Sequence, residues 1–137
     1  RKFVSIRVVG ERLFKCDADA LLYDADLALH FAYRKKNGTL IKGVPSSKLY
    51  EYLKFRKPVL LIPGDDDVMT STLEEAGLAV KIGNKEEGLS VFTDLLREKE
   101  RTGAIFRKPN EEIIASHSRA RLIAELASNL KEMFDGP

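Results

Sequence analysis

GVPSSKLYEYLKFRKPVLLIPG, residues 43–64, places a glycine, a proline and two serines ahead of a helix-forming segment, then runs into Pro-Val-Leu-Leu-Ile-Pro. Residues 46–55 read as a short helix, with Lys48, Glu51, Tyr50 and Tyr52 crowded near its start. Residues 58–63 read as a strand. The apolar run does not alternate with polar positions, which is the pattern of a strand covered on both faces. A helix followed at once by such a strand is half of a parallel βαβ unit, so the flanking segments decide the fold.

Working outward, residues 26–32 form a second strand, with Leu27, Leu29 and Phe31 on one face and Ala28 and His30 on the other. Residues 15–25, rich in Ala and Leu, read as the helix before it, and 3–9 (FVSIRVV) as a strand ending at Gly10. Between 34 and 45 lies a polar loop with a turn at Asn37-Gly38. Downstream come a helix at 65–76 closed by Gly77, a strand at 78–82, and a helix at 86–100 with Leu89, Phe92 and Leu96 on one stripe. A last long helix at 110–134 carries Ile123, Leu126, Leu130 and Met133 on another. The order β-α-β-α-β-α-β-α-α predicts an α/β chain, a Rossmann-like parallel sheet with helices on both faces. Ligands of such sheets bind beyond the carboxyl ends of the strands, which points to the loops at 10–14, 31–46 and 63–67.

The chain has 137 residues, enough for one domain and one real core. Its 23 basic and 21 acidic residues leave a net charge of +2, so no nucleic-acid partner is indicated by charge. Cys16 is the single cysteine, which excludes an internal disulfide and suits a reducing compartment such as the cytoplasm. No apolar run approaches the roughly 18 residues of a membrane span, and none reads as a signal peptide. The first residue is Arg1 rather than Met, which suggests a piece of a longer chain.

The first turn of a helix leaves backbone N–H groups without partners and carries the positive end of the helix dipole. Ser46 and Ser47 stand at that turn, small enough for a ligand to approach, and Lys48 adds a mobile cation. Such a turn can seat a phosphate. Glu51, one turn further in, can accept two hydroxyl hydrogen bonds from a ribose, so a nucleoside diphosphate would lie over the helix. The same residues also suit a plainer role, with serine as N-cap and Lys48 and Glu51 paired at i,i+3.

The chain resembles the C-terminal, donor-binding part of a GT-B glycosyltransferase of the group 1 retaining family. YDADLALHF (23–31) looks like that family's aromatic-x-x-Ala-Asp and following strand. GVPSSKLYEYLKFRKPVLLIPG looks like its Pro-x-Lys-x-x-Glu-Tyr-Leu, basic turn, Pro-Val and strand. EEAGLAV (74–80) and HSRARLIAELASNL (117–130) follow in order, with His117 where an aromatic residue is usual. The resemblance implies a nucleotide-diphospho-sugar as donor substrate, with no cofactor and no metal. Glu51 would hold the ribose, and Ser46 and Ser47 would present N–H groups to the diphosphate. Lys48 would assist or pack, and Gly10 and Glu11 would face the base. The family's first glutamate falls at Gly43, so the sugar is not legible. The implied partners are the donor and a glycan or lipid-linked acceptor, held by an N-terminal domain outside this piece. The piece would be inactive alone, cytoplasmic or peripheral at the inner membrane face, and able to pair its exposed first strand with a second copy.

Other features carry less. Asp65, Asp66 and Asp67 suit helix capping better than a metal, because consecutive carboxylates diverge. His30 stands at the ligand edge but also fits as an ordinary strand-end histidine. The basic stretch at 34–38 can meet an anion or simply be solvated. A receiver-like signalling domain is a rival reading. It needs an acidic pair after the first strand and a lone acceptor aspartate after the third; Gly10-Glu11 and the run at 65–67 do not fit. A GT-B nucleotide-sugar epimerase is a nearer rival.

Overall fold

In the computed structural model, residues 13–32, 36–39, 46–64 and 67–135 are described. The strand expected at 3–9 lies outside them, as do Gly10, Glu11 and Gly43. At the centre of the sheet is β2 (Val59–Ile62), flanked by β1 (Ala28–Phe31) and β3 (Ala79–Lys81), all parallel. Val59, Leu60 and Leu61 are each at most 3% exposed, as a non-alternating apolar strand must be when both faces are covered. Ala28 pairs with Val59 and Phe31 with Ile62 across the first ladder, and Val59 with Ala79 across the second.

Two crossover helices join these strands. They are α2 (Lys48–Phe55), between β1 and β2, and α3 (Asp67–Glu75), between β2 and β3. Because the sheet grows in one direction, right-handed crossovers put both on one face. There Leu49, Tyr52 and Leu53 of α2 and Met69 and Leu73 of α3 pack with Ala28, Val59 and Leu61. The opposite face carries Leu60, Ile82 and Leu95, the last from α4 (Lys85–Thr102). Gly88 lets α4 come close, since a Cβ there would sit 3.2 Å from Ile82 Cγ2. The α/β parallel sheet with helices on both faces is therefore the observed architecture.

Local chemistry sets the element ends. Glycine closes α3 in the form of a Schellman turn. The Leu78 N–H donates to Leu73 O at 2.8 Å and the Gly77 N–H to Glu74 O at 2.9 Å. Leu73 and Leu78, the pair that accompanies this turn, are both fully buried. Asn84 caps α4 by accepting from the Glu87 N–H at 2.9 Å.

Two sequence expectations need correction. The long helix expected at 110–134 is two helices, α5 (Glu111–Ser116) and α6 (Arg119–Asp135). The break lies at His117-Ser118: the His117 ring nitrogen Nδ1 meets Ile113 O at 2.9 Å, and the Ser118 hydroxyl accepts from the Arg121 N–H at 3.3 Å, starting a new helix. The stripes were also misjudged. Leu89, Phe92 and Leu96 are 74%, 46% and 43% exposed, while Val91 and Leu95 meet the sheet. Ile123, Leu126, Leu130 and Met133 are exposed on α6 as well.

Candidate functional site

Because β1, β2 and β3 run parallel, the chain leaves each at the same edge of the sheet and re-enters a helix there. The start of α2 therefore stands at the carboxyl edge, where the sequence reading put it. Ser46 lies just before the helix and does local work. Its carbonyl accepts from the Leu49 N–H at 2.9 Å, and its hydroxyl accepts from the Lys48 N–H at 3.3 Å. The second bond is longer than the usual range for N–H···O, so an incoming phosphate oxygen can take its place. Ser47 is the N-cap residue by position but makes no capping bond with its side chain, and it is exposed beside Lys48.

Glu51 is the fourth residue of α2, at the end of its first turn, with its side chain 39% exposed. It is not alone there. Lys15, the first residue of α1 (Lys15–Asp24), donates to Glu51 Oε1 at 2.8 Å and to Asp19 Oδ1 at 2.5 Å. Asp19 in turn accepts from Lys54 Nζ at 3.1 Å through its other oxygen. The hydrogen bond to Asp19, then that to Glu51, raises the Lys15 ammonium above the ordinary lysine range. The hydrogen bond from Lys15 does most to hold Asp19 below the usual carboxylate range. Sequence reading missed this arrangement. The i,i+4 spacing of Lys15 and Asp19 was a usable signal, but nothing in the spacing announces that Lys15 reaches Glu51.

Tyr52 is buried under α2, where burial first and Glu51 second push its phenol up. Its hydroxyl donates to Leu29 O at 3.5 Å, and its ring meets His30 edge-on at 6.2 Å. His30 thus belongs to the packing between β1 and α2 rather than standing apart at the edge. Asn37 accepts from the Thr39 N–H at 3.1 Å, and Gly38 follows at φ +82°, which is the expected turn. After β2, the Gly64 N–H donates to Ile82 O at 2.9 Å, and a Cβ on Gly64 would lie 2.7 Å from Lys81 Cβ. Among the described residues no group of three or more His, Cys, Asp or Glu side chains is placed to hold a metal ion.

A cleft of about 290 Å³ opens at the other end of the sheet, lined by residues including Asp26, Phe55, Lys57, Ile105 and Arg107. It lies at the amino ends of β1 and β2, and none of Ser46, Ser47, Lys48 and Glu51 lines it. Lys57 reaches over the Tyr23 ring there, 5.5 Å from its centroid. Arg107 is held by Glu98 at 3.2 Å, and Lys99 pairs with Asp26. The cations of that end are largely neutralised by carboxylates, so the cleft has no net call for an anion.

Among the described residues no helix is long and apolar enough to cross a membrane. No protein-family model, curated protein or solved structure matches the chain.

Proposed function

We propose that this chain is the donor-binding domain of a retaining GT-B-type glycosyltransferase, which takes its sugar from a nucleotide-diphospho-sugar. The observation that supports this most is the position of Glu51, one turn inside α2 at the carboxyl edge of a parallel sheet, with Ser46, Ser47 and Lys48 leading the helix. In this reading the diphosphate rests at the start of α2, where the helix dipole and backbone N–H groups offset its charge. Lys48 adds a cation, and Glu51 receives the ribose hydroxyls. Catalysis would come mainly from stabilising the diphosphate as it leaves. In this reading the acceptor is a glycan or a lipid-linked acceptor, met at the cytoplasmic face of a membrane.

The test is calorimetric titration with UDP and GDP, run side by side on the chain and on Glu51→Ala. Binding of one nucleotide, weakened at least tenfold in the variant, is the expected outcome, since losing a charged acceptor costs about 1.5–3 kcal/mol. Equal binding by both proteins would remove Glu51 from the site, and no binding by either would overturn the donor reading.

A further inference from the structure

We propose that Lys15 is the positioning residue for Glu51, holding its carboxylate in the orientation that receives the two ribose hydroxyls of a nucleoside diphosphate. This rests on the donor-site reading above. Four side chains form an open run of ion pairs between two helices, in the order Lys54, Asp19, Lys15, Glu51: Lys15 and Asp19 are one turn apart on α1, and Glu51 and Lys54 are one turn apart on α2. Lys15 donates to Glu51 Oε1 at 2.8 Å and to Asp19 Oδ1 at 2.5 Å, and Lys54 donates to Asp19 Oδ2 at 3.1 Å. Both oxygens of Asp19 are therefore used. Its side chain is the least exposed of the four, at 23%, so it is the fixed post of the run.

Glu51 is used on one side only. A carboxylate offers about four lone-pair sites, and Lys15 takes one of them on Oε1. Among the described residues Oε2 has no donor, so it is the oxygen left for a vicinal diol. Lys15 also supplies the countercharge that makes covering Glu51 with a sugar less costly. A lysine at the first position of a helix is disfavoured by the helix dipole. That unfavourable placement is offset by its two carboxylate partners. α1 has no buried residue, so its register against α2 depends on such contacts, together with Leu22 and the edge-on Tyr23–Phe55 pair at 6.5 Å.

The experiment compares ribose with its absence. The chain, Lys15→Met, Lys15→Arg and Glu51→Ala are titrated with whichever of UDP or GDP binds and with the 2′,3′-dideoxy analogue of the same nucleotide. Lys15→Met should weaken ribonucleotide binding about three- to tenfold, the cost of leaving one side chain free to rotate, and leave the dideoxy analogue unchanged. Lys15→Arg should restore most of the preference. Equal weakening toward both nucleotides would mean that Lys15 meets the phosphates or only supports the fold, and would overturn the inference. So would a ribose preference lost in Glu51→Ala but intact in Lys15→Met. A wild-type chain that does not prefer the ribonucleotide overturns the donor reading itself, and this inference with it.

Discussion

Gly77 has φ +71°, and a Cβ there would lie 2.4 Å from the carbonyl oxygen of Lys108. Two penalties therefore meet at one residue: a left-handed backbone and a collision with main chain that cannot swing aside. Gly77→Ala should cost about 2–4 kcal/mol, which urea unfolding would measure as a lower midpoint at an unchanged slope. A loss under about 0.5 kcal/mol would show that the segment near Lys108 yields freely. The glycine itself was legible as the end of α3, because a helix followed by Gly-Leu-Ala-Val calls for a left-handed residue before the next strand. Its contact with Lys108 was not, since that carbonyl arrives from a loop beyond α4. Glu51 shows the same division: its place on the first turns of α2 followed from local pattern, and its partner on α1 depended on how two helices meet.

At the level of elements, strands were read more securely than helix faces. The run at 58–63 has no polar position, so any register buries it. In α4 the apolar residues are spread around the helix, and periodicity alone allowed two stripes. The sequence reading named only the stripe with Leu89, Phe92 and Leu96, but Gly88 sets which face meets the sheet. By letting the helix approach Ile82 it turns Val91 and Leu95 toward the sheet. Leu95, at 3% exposure, should therefore cost about 2–4 kcal/mol when changed to alanine. Leu89→Ser, at a site 74% exposed, should stay within about 0.5 kcal/mol of wild type. Thermal melts of the two variants would separate the faces, and a reversed ranking would restore the stripe first expected. The division between α5 and α6 was hidden for a related reason. Apolar residues on both sides of His117-Ser118 keep a helical rhythm, and only the cap formed by Ser118 shows that the rhythm restarts.

For the molecule as a whole, the cooperative unit ends before α6. α5 belongs to the core: Ile114 is buried with Leu73 and Leu78, and the Asn110 N–H donates to Ala76 O at 2.9 Å. The Arg56 guanidinium also grips both oxygens of Glu111, at 2.8 and 2.7 Å. These ties fasten α5 to the ends of α2 and α3. Beyond Ser118 no comparable contact appears among the described residues. Leu122, Ile123, Leu126, Leu130, Met133 and Phe134 are between 39% and 84% exposed, so burial of this stripe contributes little to stability. Ending the chain after Ser118 should then move the thermal midpoint by no more than about 2 °C and preserve a single transition. A truncation within α5 should behave differently, because losing Ile114 and the Arg56–Glu111 fork opens the face on which α2 and α3 pack. Differential scanning calorimetry of the two truncations would decide where the unit stops. If removing α6 alone lowered the midpoint by about 8 °C or more, its apolar stripe would have to be buried against the domain in solution, and the boundary drawn at Ser118 would be wrong.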